Sequence, residues 1–212
     1  STLCPYTTLV RPGLVSEHFS RASTIERLPG HAAIGHVRYA TTGETILRNV
    51  QPLFSELSSG GFAVAHNGNL TNGRTLRREL VRDGAIFQST TDTEAILHLV
   101  ARSRRNRLVE RFIEALRQIE GAYSLVALSN KKLIGARDPL GIRPLVLGEL
   151  DGHYILASET CALDIIGARF VRDIENGEIP DDDSLVGPLI ANICYNNARQ
   201  YLGLAIPEGI YA

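Results

Sequence analysis

Two periods of apolar residues alternate along this chain, and the switches between them outline its elements. Residues 32–39 (AAIGHVRY) are small, apolar and β-branched, which predicts a buried strand. Residues 62–66 (FAVAH) predict a second, after a turn at Gly60-Gly61. From 70 to 84 the period becomes helical. Leu76, Leu80 and Val81 fall on one face, Arg74, Arg77, Arg78 and Arg82 outside it, and Gly84 suits a C-terminal cap. Residues 91–103 predict a second helix, with Thr91 and Glu94 spaced as a capping box and Ile96, Leu97 and Val100 as its apolar stripe. A third covers 108–119, with Leu108, Phe112, Leu116 and Ile119 at helical spacing and Gly121 as its stop.

Short apolar runs then return at 122–128, 133–136, 145–147 and 154–157. Asn130-Lys131 and Asp151-Gly152 suit hairpin turns between them. Strands, then helices, then strands is the order of an α+β fold with antiparallel sheets. Near Glu178 the pattern changes to the acidic turn IPDDDS, and 185–212 is weakly patterned.

Composition narrows the class. Hydrophobic residues make up 44% and charged residues 21% of the 212, which excludes a wholly disordered chain. The 22 basic and 23 acidic residues give a net charge of −1, so no overall field draws the protein to nucleic acid or to a membrane surface. No apolar run approaches the roughly 20 residues that span a bilayer, and 1–10 does not read as a signal peptide. Cys4, Cys161 and Cys194 are far apart, forming neither a disulfide framework nor a spaced zinc site, which points to the cytoplasm. The absence of methionine points to a processed chain or a fragment.

Three polar groups stand at the ends of expected elements. Arg38 closes the first strand, where a planar guanidinium suits a carboxylate, whether of a ligand or of a structural Asp or Glu. Asn67-Gly68 follows the second strand and leads into a helix. Besides marking a turn, that junction offers a side-chain amide and a backbone N–H to a developing oxyanion. Asp92 sits in the first turn of the second helix, suited to the helix dipole or to a substrate ammonium. Arg38 and Asp92 together would clamp both ends of an α-amino acid.

Several longer stretches carry a resemblance. GHVRYATTGE (35–44), QPLF (51–54), AHNGNLTN (65–72) and STTDTEAIL (89–97) resemble the glutaminase domain of N-terminal-nucleophile glutamine amidotransferases. RDPLGIRPLVLG (137–148) and ASETCALDIIGARFVRDIENGE (157–178) narrow the likeness to the amidophosphoribosyltransferases of purine synthesis. The resemblance implies a four-layer αββα N-terminal-nucleophile hydrolase sandwich. It gives Arg38 the α-carboxylate of glutamine, Asp92 its α-ammonium, and Asn67 with the Gly68 N–H the oxyanion hole. Ammonia released from glutamine would pass to a phosphoribosyltransferase domain and displace pyrophosphate from phosphoribosyl pyrophosphate, the first committed step of purine synthesis. It also implies a homo-oligomer and magnesium at the phosphoribosyl site.

Two departures shape the expectation. The family's nucleophile is a mature N-terminal cysteine followed by a Gly-Val/Ile-Phe-Gly run, whereas Cys4 is followed by Pro5-Tyr6. Residues 1–12 are therefore read as a non-family leader, resembling translated adapter sequence. The glutaminase domain spans 13–178 without its first strand region and is inactive alone for want of the cysteine. Cys161 and Cys194 are read as ordinary small buried residues. The tail, 179–212, begins like a phosphoribosyltransferase loop, with Asp182 and Asp183 as candidate magnesium ligands, but lacks the Gly-Thr-Thr that follows in the family. The competing readings are a related enzyme such as glucosamine-6-phosphate synthase or asparagine synthetase, and a non-catalytic glutamine-binding module.

Overall fold

The computed structural model describes residues 15–19, 21–28, 30–37 and 47–174. Two short helical turns come first, α1 (Val15–His18) and α2 (Ala22–Ile25), and a 3-10 turn covers Leu47–Asn49. The body follows as β1 (Leu53–Leu57), β2 (Gly60–Leu70), α3 (Gly73–Arg82), α4 (Thr93–Arg102), α5 (Leu108–Leu116), β3 (Gly121–Ser129), β4 (Leu133–Arg137), β5 (Val146–Leu150), β6 (His153–Ala157), α6 (Thr160–Ile166) and β7 (Arg169–Asp173).

The strands form two antiparallel sheets, ordered β1-β2-β3-β4 and β6-β5-β7. Every second residue of β2 faces the helices. Phe62 and Val64 are fully buried there against Ile96 and Val100 of α4 and Phe112 of α5. The Phe62 and Phe112 rings meet edge to face, their centroids 5.8 Å apart. Side chains of this size contribute about 1.5–3 kcal/mol each on burial, which makes this layer the main core. The second sheet carries α6 on its far side. Leu163 packs so closely on Gly148 that a Cβ there would lie 2.5 Å from Leu163 Cδ2. The sheets meet where Gly135 of β4 faces Leu156 of β6, again with no room for a Cβ. The layers are therefore α3-α4-α5, sheet, sheet, α6, in agreement with the expected αββα sandwich.

Local departures from the sequence reading have identifiable causes. Residues 32–37 form no strand and are mostly exposed, Val37 at 75%. Small β-branched runs supply propensity, but a strand also requires a paired edge, and no described strand pairs with this segment. Val81 is 52% exposed, because one step round a helix from Leu80 carries it off the packed face. The hairpin at Asp151-Gly152 has φ of +51° and +80°, both positive as a type I′ turn requires. A bulge between Leu147 and Gly148 shifts the β5–β7 register.

Candidate active site

The N-terminal half of β2 is flanked by β1 on one side and β3 on the other. β1 ends at Leu53, opposite Val64, while β3 continues opposite β2 as far as Gly121 and Leu70. Residues 65–70 therefore leave one edge of β2 without a strand. Two side chains take over as acceptors. Gln51, where β1 would continue opposite His66, accepts the His66 N–H on Oε1 at 2.6 Å. Asp92, the N-cap residue of α4, accepts the Leu70 N–H on Oδ2 at 2.7 Å. Thr71 N–H instead bonds Glu120 O, on the β3 side. Backbone groups alternate sides along a strand, so the Gly68 N–H projects from the same open edge as those of His66 and Leu70, between them.

Asn67 and Gly68 thus lie inside a strand, opposite Ser124 and Tyr123, and not at the strand–helix junction expected from Asn-Gly. The glycine is nevertheless required. Its φ is +148°, and a Cβ would lie 2.1 Å from Ala122 O and 2.8 Å from Tyr123 Cα. Five residues later α3 begins, and its Gly73 comes so near Asp92 that a Cβ would stand 3.1 Å from the Asp92 Cβ.

Above this edge opens a cleft of about 1180 Å³, lined among others by Asn67, Gly68, Asp92, Arg77 and Arg143. The structure brings together three of the four residues singled out for glutamine. Arg38 lies outside the described residues, as do Cys4, Cys194, Asp182 and Asp183. Among the described residues no group of three or more His, Cys, Asp or Glu could hold a metal ion. Cys161, read from sequence as buried, is exposed in the first turn of α6, with its Sγ 3.7 Å from Glu159 Oε2. The apolar contact of that helix is made by Leu163, and Cys161 projects elsewhere.

The capping box is also absent. α4 begins at Thr93, two residues later than the pattern suggested, so Glu94 falls one position past the helix start and not three past a cap. Its carboxylate reaches back to the N–H groups of Gln88 and Ser89, at 2.6 and 2.7 Å, and to the Ser89 hydroxyl at 2.6 Å. Burial works against ionisation there, but these donors outweigh it and hold the Glu94 carboxyl below its ordinary value.

His66 faces the helix side of β2. Its Nδ1 is 3.2 Å from Thr93 Oγ1 and 3.7 Å from Asp92 Oδ1, while Nε2 is buried without a partner. Burial lowers its pKa. The Asp92 carboxylate works against that shift and Arg143 adds to it.

Arg143 is the residue that sequence reasoning passed over. Its Nη2 donates to Asn67 Oδ1. The loop before β5 holds it in place. The fully buried Asp138 carboxylate accepts four backbone N–H groups, from Tyr123, Leu140, Ile142 and Arg143, at 3.0–3.2 Å. Arg137 also clasps this loop, donating to the carbonyls of Arg143 and Gly141, and ties it to Ile174 O after β7. The signal was present in the RDPLGIR stretch: an Asp and an Arg at the two ends of a Pro-Leu-Gly turn.

Comparison with known proteins places the chain in a family. Residues 36–164 match the family model described as a glutamine amidotransferase domain. Over 167 residues the chain is 64% identical to an amidophosphoribosyltransferase of Rhizobium etli, covering 79% of this chain and 34% of that protein. It is 48% identical to the chloroplastic amidophosphoribosyltransferase of Glycine max, covering 79% and 30%. The solved glutamine phosphoribosylpyrophosphate amidotransferase of B. subtilis, complexed with ADP and GMP, superposes with a TM-score of 0.71 at 41% identity, covering 77% of this chain and 35% of that one. A structure described as the allosteric regulatory enzyme of purine biosynthesis gives 0.73, also at 41% identity and with the same coverage. The chain spans about a third of the length of these relatives.

Proposed function

This chain belongs to the glutamine amidotransferase domain family, and from that membership we propose that its cleft takes up glutamine and releases ammonia from the side-chain amide. One coincidence of position supports the reading: the Asn67 amide, the edge N–H of Gly68 and the Asp92 carboxylate line a single opening. In the proposed complex Asp92 receives the α-ammonium and Arg38 the α-carboxylate, while the γ-carbonyl oxygen turns to Asn67 and Gly68.

Attack by a thiolate on the side-chain amide carbon, Cδ, forms a C–S bond and moves the carbonyl electron pair onto oxygen. Two N–H donors stabilise that oxyanion best when they are fixed before charge develops, and a strand-borne N–H and a tethered amide are fixed. The C=O bond then re-forms, the C–N bond breaks, and the nitrogen leaves as ammonia once protonated. Water cleaves the thioester to glutamate. The proposal assigns the thiol to no described residue, because Cys161, the one cysteine among them, does not line the cleft.

The wider activity is proposed on the same footing. The released ammonia would displace pyrophosphate from phosphoribosyl pyrophosphate, opening purine synthesis, in a cytoplasmic homo-oligomer. Residues 13–178 would form the glutaminase part. Magnesium, with Asp182 and Asp183 as its candidate ligands, belongs to the phosphoribosyl half of that reaction and not to the cleft. Among the described residues no helix is long and apolar enough to cross a membrane.

Calorimetric titration with L-glutamine tests the reading. Saturable binding that L-glutamate displaces is expected, and no heat of binding at millimolar glutamine overturns it. Ammonia release, measured on a chain that begins with the family's processed cysteine segment, separates a glutaminase from a module that only holds the amino acid.

A further inference from the structure

We propose that Arg143 is a positioning residue for the oxyanion site, fixing which end of the Asn67 amide faces the cleft and strengthening its N–H as a donor. The inference rests on the reading of Asn67 as an oxyanion donor given above.

A primary amide presents an acceptor on one end and a donor on the other, and the two ends have nearly the same shape. An oxyanion site tolerates only one of the two orientations. With the oxygen turned toward the substrate, the site would repel the charge it is meant to hold. A guanidinium has five donors and no acceptor, so the atom of Asn67 that meets Arg143 Nη2 must be the oxygen. That contact leaves Nδ2, with its two hydrogens, as the free end. The bond is also charge-assisted. Drawing electron density toward Oδ1 makes the Nδ2 hydrogens more positive, the cooperative strengthening expected of linked hydrogen bonds in a poorly solvated place.

The surrounding structure serves this contact. Asn67 is on the face of β2 opposite His66, so its side chain turns toward the loop that precedes β5 and away from the helices. Arg143 reaches it across 76 residues of chain. The backbone of Arg143 is pinned at both polar groups: its N–H by Asp138 Oδ2 at 3.0 Å and its carbonyl by Arg137 Nε at 2.7 Å. Its Nε is buried and has no hydrogen-bond partner. Asp92, across the same cleft, accepts the Leu70 N–H.

The test is a set of variants, Arg143→Ala, Arg143→Gln and Arg143→Lys, read in three ways. Side-chain amide spectra of ¹⁵N-labelled protein come first, with Asn67→Asp to assign the Asn67 pair. In the wild type the two Nδ2 protons should be well separated and slow to exchange. In Arg143→Ala and Arg143→Gln they should shift and exchange faster, and Arg143→Lys should restore part of the difference. Glutamine affinity, the second reading, should change less than about 3-fold in all three variants. Turnover, the third, measured on a chain that begins with the family's processed cysteine segment, should fall by about 10²-fold in Arg143→Ala, the size of effect that a 1 Å misplacement produces, with Arg143→Lys intermediate.

An Asn67 amide pair unchanged in Arg143→Ala and Arg143→Gln overturns the inference, whatever the chain does with glutamine. Loss of glutamine affinity equal to the loss of turnover also overturns it, making Arg143 a substrate ligand. A uniform fall in melting temperature, with Arg143→Lys no better than Arg143→Ala, reduces it to a structural role and overturns it likewise. A wild type that binds no glutamine defeats the proposed function alone, since the spectra still read the contact.

Discussion

Gln51 completes a ladder that β1 abandons: its Oε1 accepts the His66 N–H at 2.6 Å, where a strand carbonyl would otherwise stand. Both residues are buried, at 8% and 3% exposure. Gln51→Ala should therefore cost about 1–3 kcal/mol, the penalty for an unsatisfied buried donor. Gln51→Glu, which keeps an acceptor, should cost less than Gln51→Ala. Urea denaturation of the two variants checks this, and a Gln51→Ala loss under about 0.5 kcal/mol would count against the contact.

Asp92 carries two duties that one pair of substitutions can separate. Asn at this position keeps an oxygen for the Leu70 N–H but loses the charge offered to an ammonium. Asp92→Asn should stay within about 1 kcal/mol of wild-type stability, whereas Asp92→Ala should lose about 1–3 kcal/mol. Glutamine binding should weaken by about tenfold or more in both. Wild-type affinity in Asp92→Asn would remove the residue from the ammonium site.

Gly68→Ala tests the strand edge. A φ of +148° is itself strained for alanine, by of order 1–3 kcal/mol, and the new Cβ meets backbone at 2.1 Å. We expect a loss of about 3 kcal/mol or more, or a displaced β2–β3 register visible as altered amide-exchange protection at Tyr123. A variant as stable as wild type would refute the geometry.

Acid sensitivity follows from two histidines, His66 buried and His98 partly so. Burial lowers the pKa of both His66 and His98, so the folded state prefers each ring neutral while the unfolded chain takes up a proton near the ordinary value of about 6.5. Their contribution is whole above that pH and declines as pH falls below it, toward the folded-state values. Glu94, held below its ordinary value, adds a second loss at lower pH, as the medium falls through its folded-state pKa. Stability measured from about pH 7.5 to 5 should fall with a slope of at most about 1.4 kcal/mol per pH unit per histidine. His66→Gln should be shallower than wild type over that window. An unchanged slope would show that His66 does not titrate differently on folding.

The sequence conveyed the three body helices and most strands because their signals are local. Leu76 with Leu80 and Ile96 with Val100 repeat at helical spacing, and the runs at 122–128 and 154–157 lie between turn residues. What it concealed depends on residues distant in the chain. Asn67-Gly68 reads as a turn, yet β3 pairs straight past it, so tertiary pairing overrides turn propensity. Thr91 and Glu94 fit a capping box, but Glu94 finds better donors in the approaching Gln88–Ser89 segment. α6 and β7 were not anticipated as elements, since Leu163 against Gly148 is the contact that organises them and no periodicity reports it. Of the candidate site, Asn67, Gly68 and Asp92 were legible through motifs. Arg143 was not, because its role exists only once a strand and a loop 76 residues apart come together.

The Asp138 loop carries a consequence for how this chain can vary. Its shape is cast around one carboxylate, not around the side chains that compose it: Leu140 and Ile142 lend only their N–H groups and project outward at 71% and 60% exposure. Those two positions are free to drift among residues of many kinds without moving the guanidinium beyond them. Length has no such freedom. One residue added or removed between Asp138 and Arg143 would break the five-residue interval from carboxylate to N–H and swing the arginine away from its amide. Along this stretch, selection would act on the count of residues and on Gly141, whose φ is +62°, and leave the identities at 140 and 142 largely unconstrained.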